Sequence, residues 1–101
     1  MSTKEKKPSE VLREAIKLIR KHGWNQGSYC GDDGAICASN AIAIASGRDP
    51  WTMPDSGARR ELHSLIKPEL IATWNDRDDQ TRTNVLRTMG KAARQLERRG
   101  R

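Results

Sequence analysis

The chain has 101 residues, 35% of them hydrophobic and 32% charged, with 19 Lys or Arg against 13 Asp or Glu for a formal net charge of +6. That length suits one domain with one small core, and two cysteines are too few for a disulfide-built secreted scaffold. The longest uncharged run, Gly34 to Gly47, falls short of the ~20 apolar residues of a membrane span, and the charged start (Lys4, Glu5, Lys6, Lys7) has no apolar block behind it, so neither a signal peptide nor a membrane partner is expected.

In chain order, residues 1–7 have nothing to bury and read as a disordered basic tail. A single helical domain is expected over 8–98, and 99–101 as a second basic tail. Ser9, with Pro8 before it, offers a helix N-cap. Val11, Leu12, Ala15, Ile16, Leu18 and Ile19 then follow the helical period. Arg13, Lys17 and Arg20 fall on the other face. Gly23 suits the residue after the last turn, which is basic through Lys21 and His22.

From Trp24 to Cys37 the pattern changes. Gly27, Gly31 and Gly34 break helical continuity. Ser28-Tyr29-Cys30 and Ala35-Ile36-Cys37 read as two short strands around Asp33-Gly34, the preferred pair of a type I′ turn. Such a hairpin is marginal alone and must lean on helices. With Asp33-Gly34 central, Cys30 and Cys37 face each other within disulfide reach. With Asp32-Asp33 central they lie on a diagonal, ~7–8 Å apart and too far to bond. Turn propensity favours the first register, and the absence of an export signal favours reduced thiols.

Cys37 opens an Ala-rich run to Ser46, CASNAIAIAS, expected to be a buried central helix ended by Gly47. Arg48 to Gly57 holds two prolines and reads as a loop in which Trp51 and Met53 pin the chain to the body. A third helix is expected from Ala58 to Ile66, burying Leu62, Leu65 and Ile66, with His63 at its surface or boundary. Pro68 can start a short helical turn through Leu70 and Ile71. Trp74-Asn75-Asp76 begins a polar connector to Gln80. The last helix runs from about Thr81 to Arg98, capped by Asp79 or Thr81. The fold expected is therefore mainly α with a small β part (α+β): a compact bundle of four main helices and one two-stranded β-hairpin.

The charge is unevenly laid out. Residues 1–23 carry seven basic and three acidic groups, 24–57 one and four, 58–79 four and five, and 80–101 seven and one. In the last helix Arg87, Lys91, Arg94 and Arg98 follow at intervals of four, three and four residues. At ~100° per residue they form one narrow stripe, opposite Val85, Leu86, Met89, Ala92, Ala93 and Leu96. Such a stripe can neutralise phosphates with salt-dependent affinity. It is also what an ordinary solvated helix face looks like, with cations near the C-terminus suiting the helix dipole. No aromatic residue interleaves with it to stack bases, and the connector before it is longer than a helix-turn-helix turn.

Cys37, at a helix N-terminus, is the one candidate nucleophile, and it needs His22 or His63 nearby. A small buried apolar cysteine is the commoner case. The C-x6-C spacing with two scattered histidines makes a poor zinc set, and no nucleotide or hydrolase motif is present, so no metal or other cofactor is expected.

Gly23-Trp24 with Gln26-Gly27-Ser28-Tyr29, Cys37-Ala38 opening an Ala-rich helix, and Trp74-Asn75-Asp76 before a final amphipathic helix resemble, in that order, a family of small uncharacterised domains from actinobacteria and their phages. The resemblance spans roughly residues 9 to 96. Asn40 stands where that family often has Gly, and Gln80 where Arg usually precedes the Thr matching Thr81. The resemblance implies an actinobacterial or phage origin and a cytoplasmic setting, and no activity.

Trp24 and Trp74 are each followed by Asn. Either the indoles fill the core while Asn25, Asn75 and Asp76 satisfy loop backbones, or the two Trp-Asn loops flank a polar cleft with Cys37 at its base. The leading expectation for function is a non-enzymatic accessory or regulatory protein that binds another protein through Arg87, Lys91, Arg94, Arg98, Trp51 and Met53. Non-specific nucleic-acid binding through the same stripe is the alternative, and a Cys37-dependent enzyme the second alternative.

Overall fold

Five helices order the residues that the computed structural model describes, 7–26, 35–46 and 57–101: α1 (Pro8–His22), α2 (Ala38–Ser46), α3 (Gly57–Ile66), α4 (Ile71–Asn75) and α5 (Arg82–Arg98). The helix α1 starts two residues earlier than Ser9 as its cap would place it. Pro8 sits at its first position, where a missing N–H costs nothing. The Glu10 carboxylate accepts from the Lys7 backbone N–H at 2.8 Å, half of a capping box. Ser9 is thus inside the helix and not its cap. Its hydroxyl donates to the Arg101 carbonyl at 3.0 Å, fixing the start of α1 to the chain three residues past α5. Gly23 ends α1 at φ 95°, a backbone conformation that L side chains rarely adopt, with its N–H on Ile19 O at 2.8 Å.

One core joins the helices. Leu12, Ala15 and Ile19 of α1, Ala38, Ala41 and Ile42 of α2, Leu62 of α3, and Val85, Met89 and Leu96 of α5 are all fully buried. Helix α1 packs on both α5 and α2, α3 packs on α5, and the short α4 bridges α2 and α3. The small side chains of α2 allow this close packing, and only Ile44 of its large apolar residues stays half exposed.

The β-hairpin is not part of this fold. No strand or sheet occurs among the described residues, only an isolated parallel bridge between Trp24 and Ile36. Ile36 donates to Gly23 O at 2.9 Å and accepts from Asn25 N at 3.0 Å, so the backbone before α2 pairs with the chain leaving α1. One residue later, the Cys37 carbonyl already accepts from Ala41 N at 2.9 Å in the first turn of α2. The segment 35–37 is too short to be both a strand and a helix start. The other expected strand, Ser28 to Cys30, and the Asp33-Gly34 turn lie outside the described residues. Among the described residues the fold is all-helical, with α4 as a fifth, short helix. None of these helices is long and apolar enough to cross a membrane.

Trp74 and Asn75 belong to α4 and not to the polar connector. Trp74 is 3% exposed and Asn75 fully buried. Pro68 follows a cis peptide bond, and helix geometry resumes only at Ile71. At α5 the Thr81 hydroxyl accepts from Asn84 N at 3.1 Å, the cap expected from its position.

Candidate functional site

The stripe on α5 is built by periodicity and presented by packing. Val85, Met89, Ala92, Ala93 and Leu96 are buried against α1 and α3. Arg87, Lys91, Arg94 and Arg98 project from the opposite side of the helix and are all exposed. They fall within ~60° of helix circumference over ~17 Å of axis. None of the four makes an ion pair among the described residues.

The acidic residues beside α5 are spent elsewhere. Glu97 takes two hydrogen bonds from the Arg13 guanidinium of α1, at 2.9 and 3.1 Å, which hold its carboxyl below the usual range. Glu61 of α3 is paired with Arg99. These pairs pin α5 to its neighbours at its edges, and the charge of the stripe residue Arg94 adds to the pull on Glu97. Arg13 with Glu97 and Ser9 with Arg101 also set an antiparallel register between α1 and α5. In that register the exposed Arg20 of α1 stands at about the level of Gly90, extending the basic surface sideways.

Trp24, Asn25, Trp74 and Asp76, with Cys37 next to Ala38, are brought together around the side chain of Asn75. Asn75 is the residue that joins them. Its Oδ1 accepts from Trp24 Nε1 at 2.7 Å and from Ala38 N at 3.0 Å. Its Nδ2 donates to Asn25 O at 2.9 Å and to Asp76 Oδ1 at 3.0 Å. That uses both donors and both acceptor positions of the amide. Ala38 N is one of the first N–H groups of α2, without a partner inside its own helix, so Asn75 caps α2 from another helix. Gln26 donates to Asn75 O and Arg77 O, and Gln80 to Trp74 O at 2.9 Å, closing the loops around the amide. Gln26 and Gln80 escaped the sequence reading because their partners lie on segments that only the fold brings near.

Cys37 is 7% exposed and carries a free thiol. Burial pushes its pKa up, and the backbone N–H groups of Asn40 and Ser39 offset this only in part. That is the reverse of what helix N-terminal acidification gives a nucleophile. Cys30, Trp51 and Met53 lie outside the described residues. His22 is exposed at the end of α1, and His63 is half-buried on α3. No three His, Cys, Asp or Glu side chains converge to hold a metal among the described residues.

The sequence pattern of a family of unknown function (DUF6197) matches residues 3–95, and the chain belongs to that family. No curated protein and no solved structure matches it.

Proposed function

We propose that this member of a family of unknown function is a non-catalytic binding protein, and that the outer face of α5 holds a polyanionic partner, duplex nucleic acid bound without sequence preference. The observation behind this reading is the row of four exposed cations, Arg87, Lys91, Arg94 and Arg98, with no carboxylate among the described residues pairing any of them. A duplex carries one charge per ~1.7 Å of axis, so a stripe of ~17 Å meets more phosphates than it has cations. The residues flanking the stripe are Thr83, Asn84 and Gln95, with the Arg13-paired Glu97 at its other edge. Thr83, Gln95 and the second amide N–H of Asn84 supply hydrogen-bond donors for phosphate oxygens, the Thr88 hydroxyl being taken by Asn84 O, and there is no aromatic or aliphatic anchor of the kind on which protein interfaces centre.

The acidified nucleophile that a cysteine enzyme needs has no support in the raised pKa of Cys37. We read the setting as cytoplasmic, and as host cytoplasm if the gene is a phage's.

A protein partner is the second reading, favoured by Leu70, which is 67% exposed. It predicts that a pull-down from a native lysate loses its specific bands when Leu70 is made Ser. The polyanion reading is tested by mobility shifts on random duplex across a salt series. It expects binding at low salt that weakens steeply as salt rises, and undetectable binding at low salt overturns it.

A further inference from the structure

Apart from the α5 stripe, a concavity of about 550 Å³ opens where α3 faces the start of α2 and the approach to α4, lined by Ser39, Arg59, Arg60, His63, Leu70 and Ile71. Its two walls differ in chemistry. The α3 wall is cationic. Arg59 and His63, four residues apart, share one face of the helix, and Arg60 adjoins them at the exposed rim. The Arg59 guanidinium is held in place, its Nη2 donating to Ser39 O at 3.0 Å and Ser39 Oγ at 2.9 Å. His63 is half-buried; its carbonyl accepts from Lys67 N at 2.8 Å. The facing wall is apolar, formed by Ile71 and by Leu70, which leaves 67% of its surface exposed. Among the described residues no Asp or Glu lines the space.

We propose that this concavity is a small-molecule site for a compact amphiphilic anion, a phosphate or carboxylate head on an apolar body. The head lies against Arg59, Arg60 and His63, whose charged forks and ring nitrogen match anionic oxygens. The body covers Leu70 and Ile71 and removes exposed apolar surface from water. The volume falls inside the usual range of ligand pockets, which combine apolar lining with a few placed polar groups. The pre-set Arg59 reduces the ordering needed on binding.

The test is an NMR titration of the full chain with phenyl phosphate, alongside inorganic phosphate and phenol as its two halves. Saturable shifts are expected at the amides of residues 59–63 and 70–72, with each half binding at least tenfold more weakly than the whole. The variants Arg60→Ala with His63→Gln, and separately Leu70→Ser, are expected to weaken phenyl phosphate at least fivefold while the duplex affinity of α5 stays unchanged. Arg60 and Leu70 are exposed and His63 half-buried, and an amide spectrum unaltered away from the changed residues confirms the fold. Shifts confined to residues 87–98, inorganic phosphate binding as well as phenyl phosphate, or variants that bind as wild type would each overturn the proposal.

Discussion

The indole of Trp24 donates to the Asn75 amide at 2.7 Å, across a sequence separation of 51 residues. This bond joins the chain leaving α1 to α4, and the same amide oxygen caps α2. Three segments therefore depend on one side chain with no spare hydrogen-bonding capacity. Replacing Asn75 with Ala leaves Trp24 Nε1, Ala38 N and Asn25 O without their partner. At ~1–3 kcal/mol for the buried Ala38 N–H and less for the two part-buried groups, the loss should be ~2–4 kcal/mol. Asn75→Asp should cost as much, because it keeps the acceptors, loses both donors and sets a carboxylate beside Asp76. Urea unfolding followed by Trp fluorescence measures both. A loss below ~1 kcal/mol in either variant would show that the amide is not the joint described.

Two glycines should respond to Ala in opposite directions. Gly90 lies in the middle of α5. A Cβ there meets only the Arg94 guanidinium, at 3.6 Å, an ordinary contact. Gly90→Ala should therefore stabilise by ~0.5–1 kcal/mol through helix propensity and reduced unfolded-state entropy. At Gly57 a Cβ would lie 2.7 Å from Cγ of the Pro8 ring. That ring begins α1 and cannot swing aside, so Gly57→Ala should destabilise by ~1–3 kcal/mol. Thermal melts of the two variants against the parent give both signs.

What the sequence made legible depended on the range of the interactions concerned. The stripe of α5 and its Thr81 cap were readable because periodicity and capping act within one helix. The Ala-rich α2 was readable for the same reason. The hairpin failed because a local turn preference at Asp33-Gly34 carries no information about Gly23 and Asn25, which bind both backbone groups of Ile36. Ser9 looked like a cap because Ser favours that place. Pro8 and Glu10 moved the start of α1 forward, freeing the Ser9 hydroxyl to bond Arg101, 92 residues away. The paired Trp-Asn motifs name residues that one amide joins, but composition alone does not give the hydrogen bonds that Asn75 makes to Trp24, Asn25 and Ala38. The Arg59–Ser39 contact and the concavity beside it left no motif, since they arise only where α2, α3 and α4 meet.

The Cys37 thiol should behave as a buried, neutral group. Its pKa is raised in the folded state, so the stability it contributes is full below the unfolded thiol's pKa of ~8.5 and declines as pH rises from there toward the folded value. Stability measured from pH 7 to 10 should fall more steeply for the parent than for Cys37→Ala. A disulfide-exchange reagent at pH 7 should label Cys37 slowly in the folded protein and rapidly in denaturant. Rapid labelling of Cys37 itself in the folded protein, read in a Cys30→Ser background, would revive the nucleophile reading.

The binding account turns on whether the outer face of α5 carries the affinity. The most direct measurement is the salt dependence of duplex binding by fluorescence anisotropy, for the parent and for a variant with Arg87, Lys91, Arg94 and Arg98 all changed to Ala. A variant with Lys4, Lys6, Lys21 and Lys67 changed to Ala serves as the charge-matched control. If each stripe cation meets a phosphate, the slope of log affinity against log salt should fall in magnitude by ~3–4 for the stripe variant. The control should change little. Equal slopes for the parent and the stripe variant, or equal losses in both variants, would contradict the account.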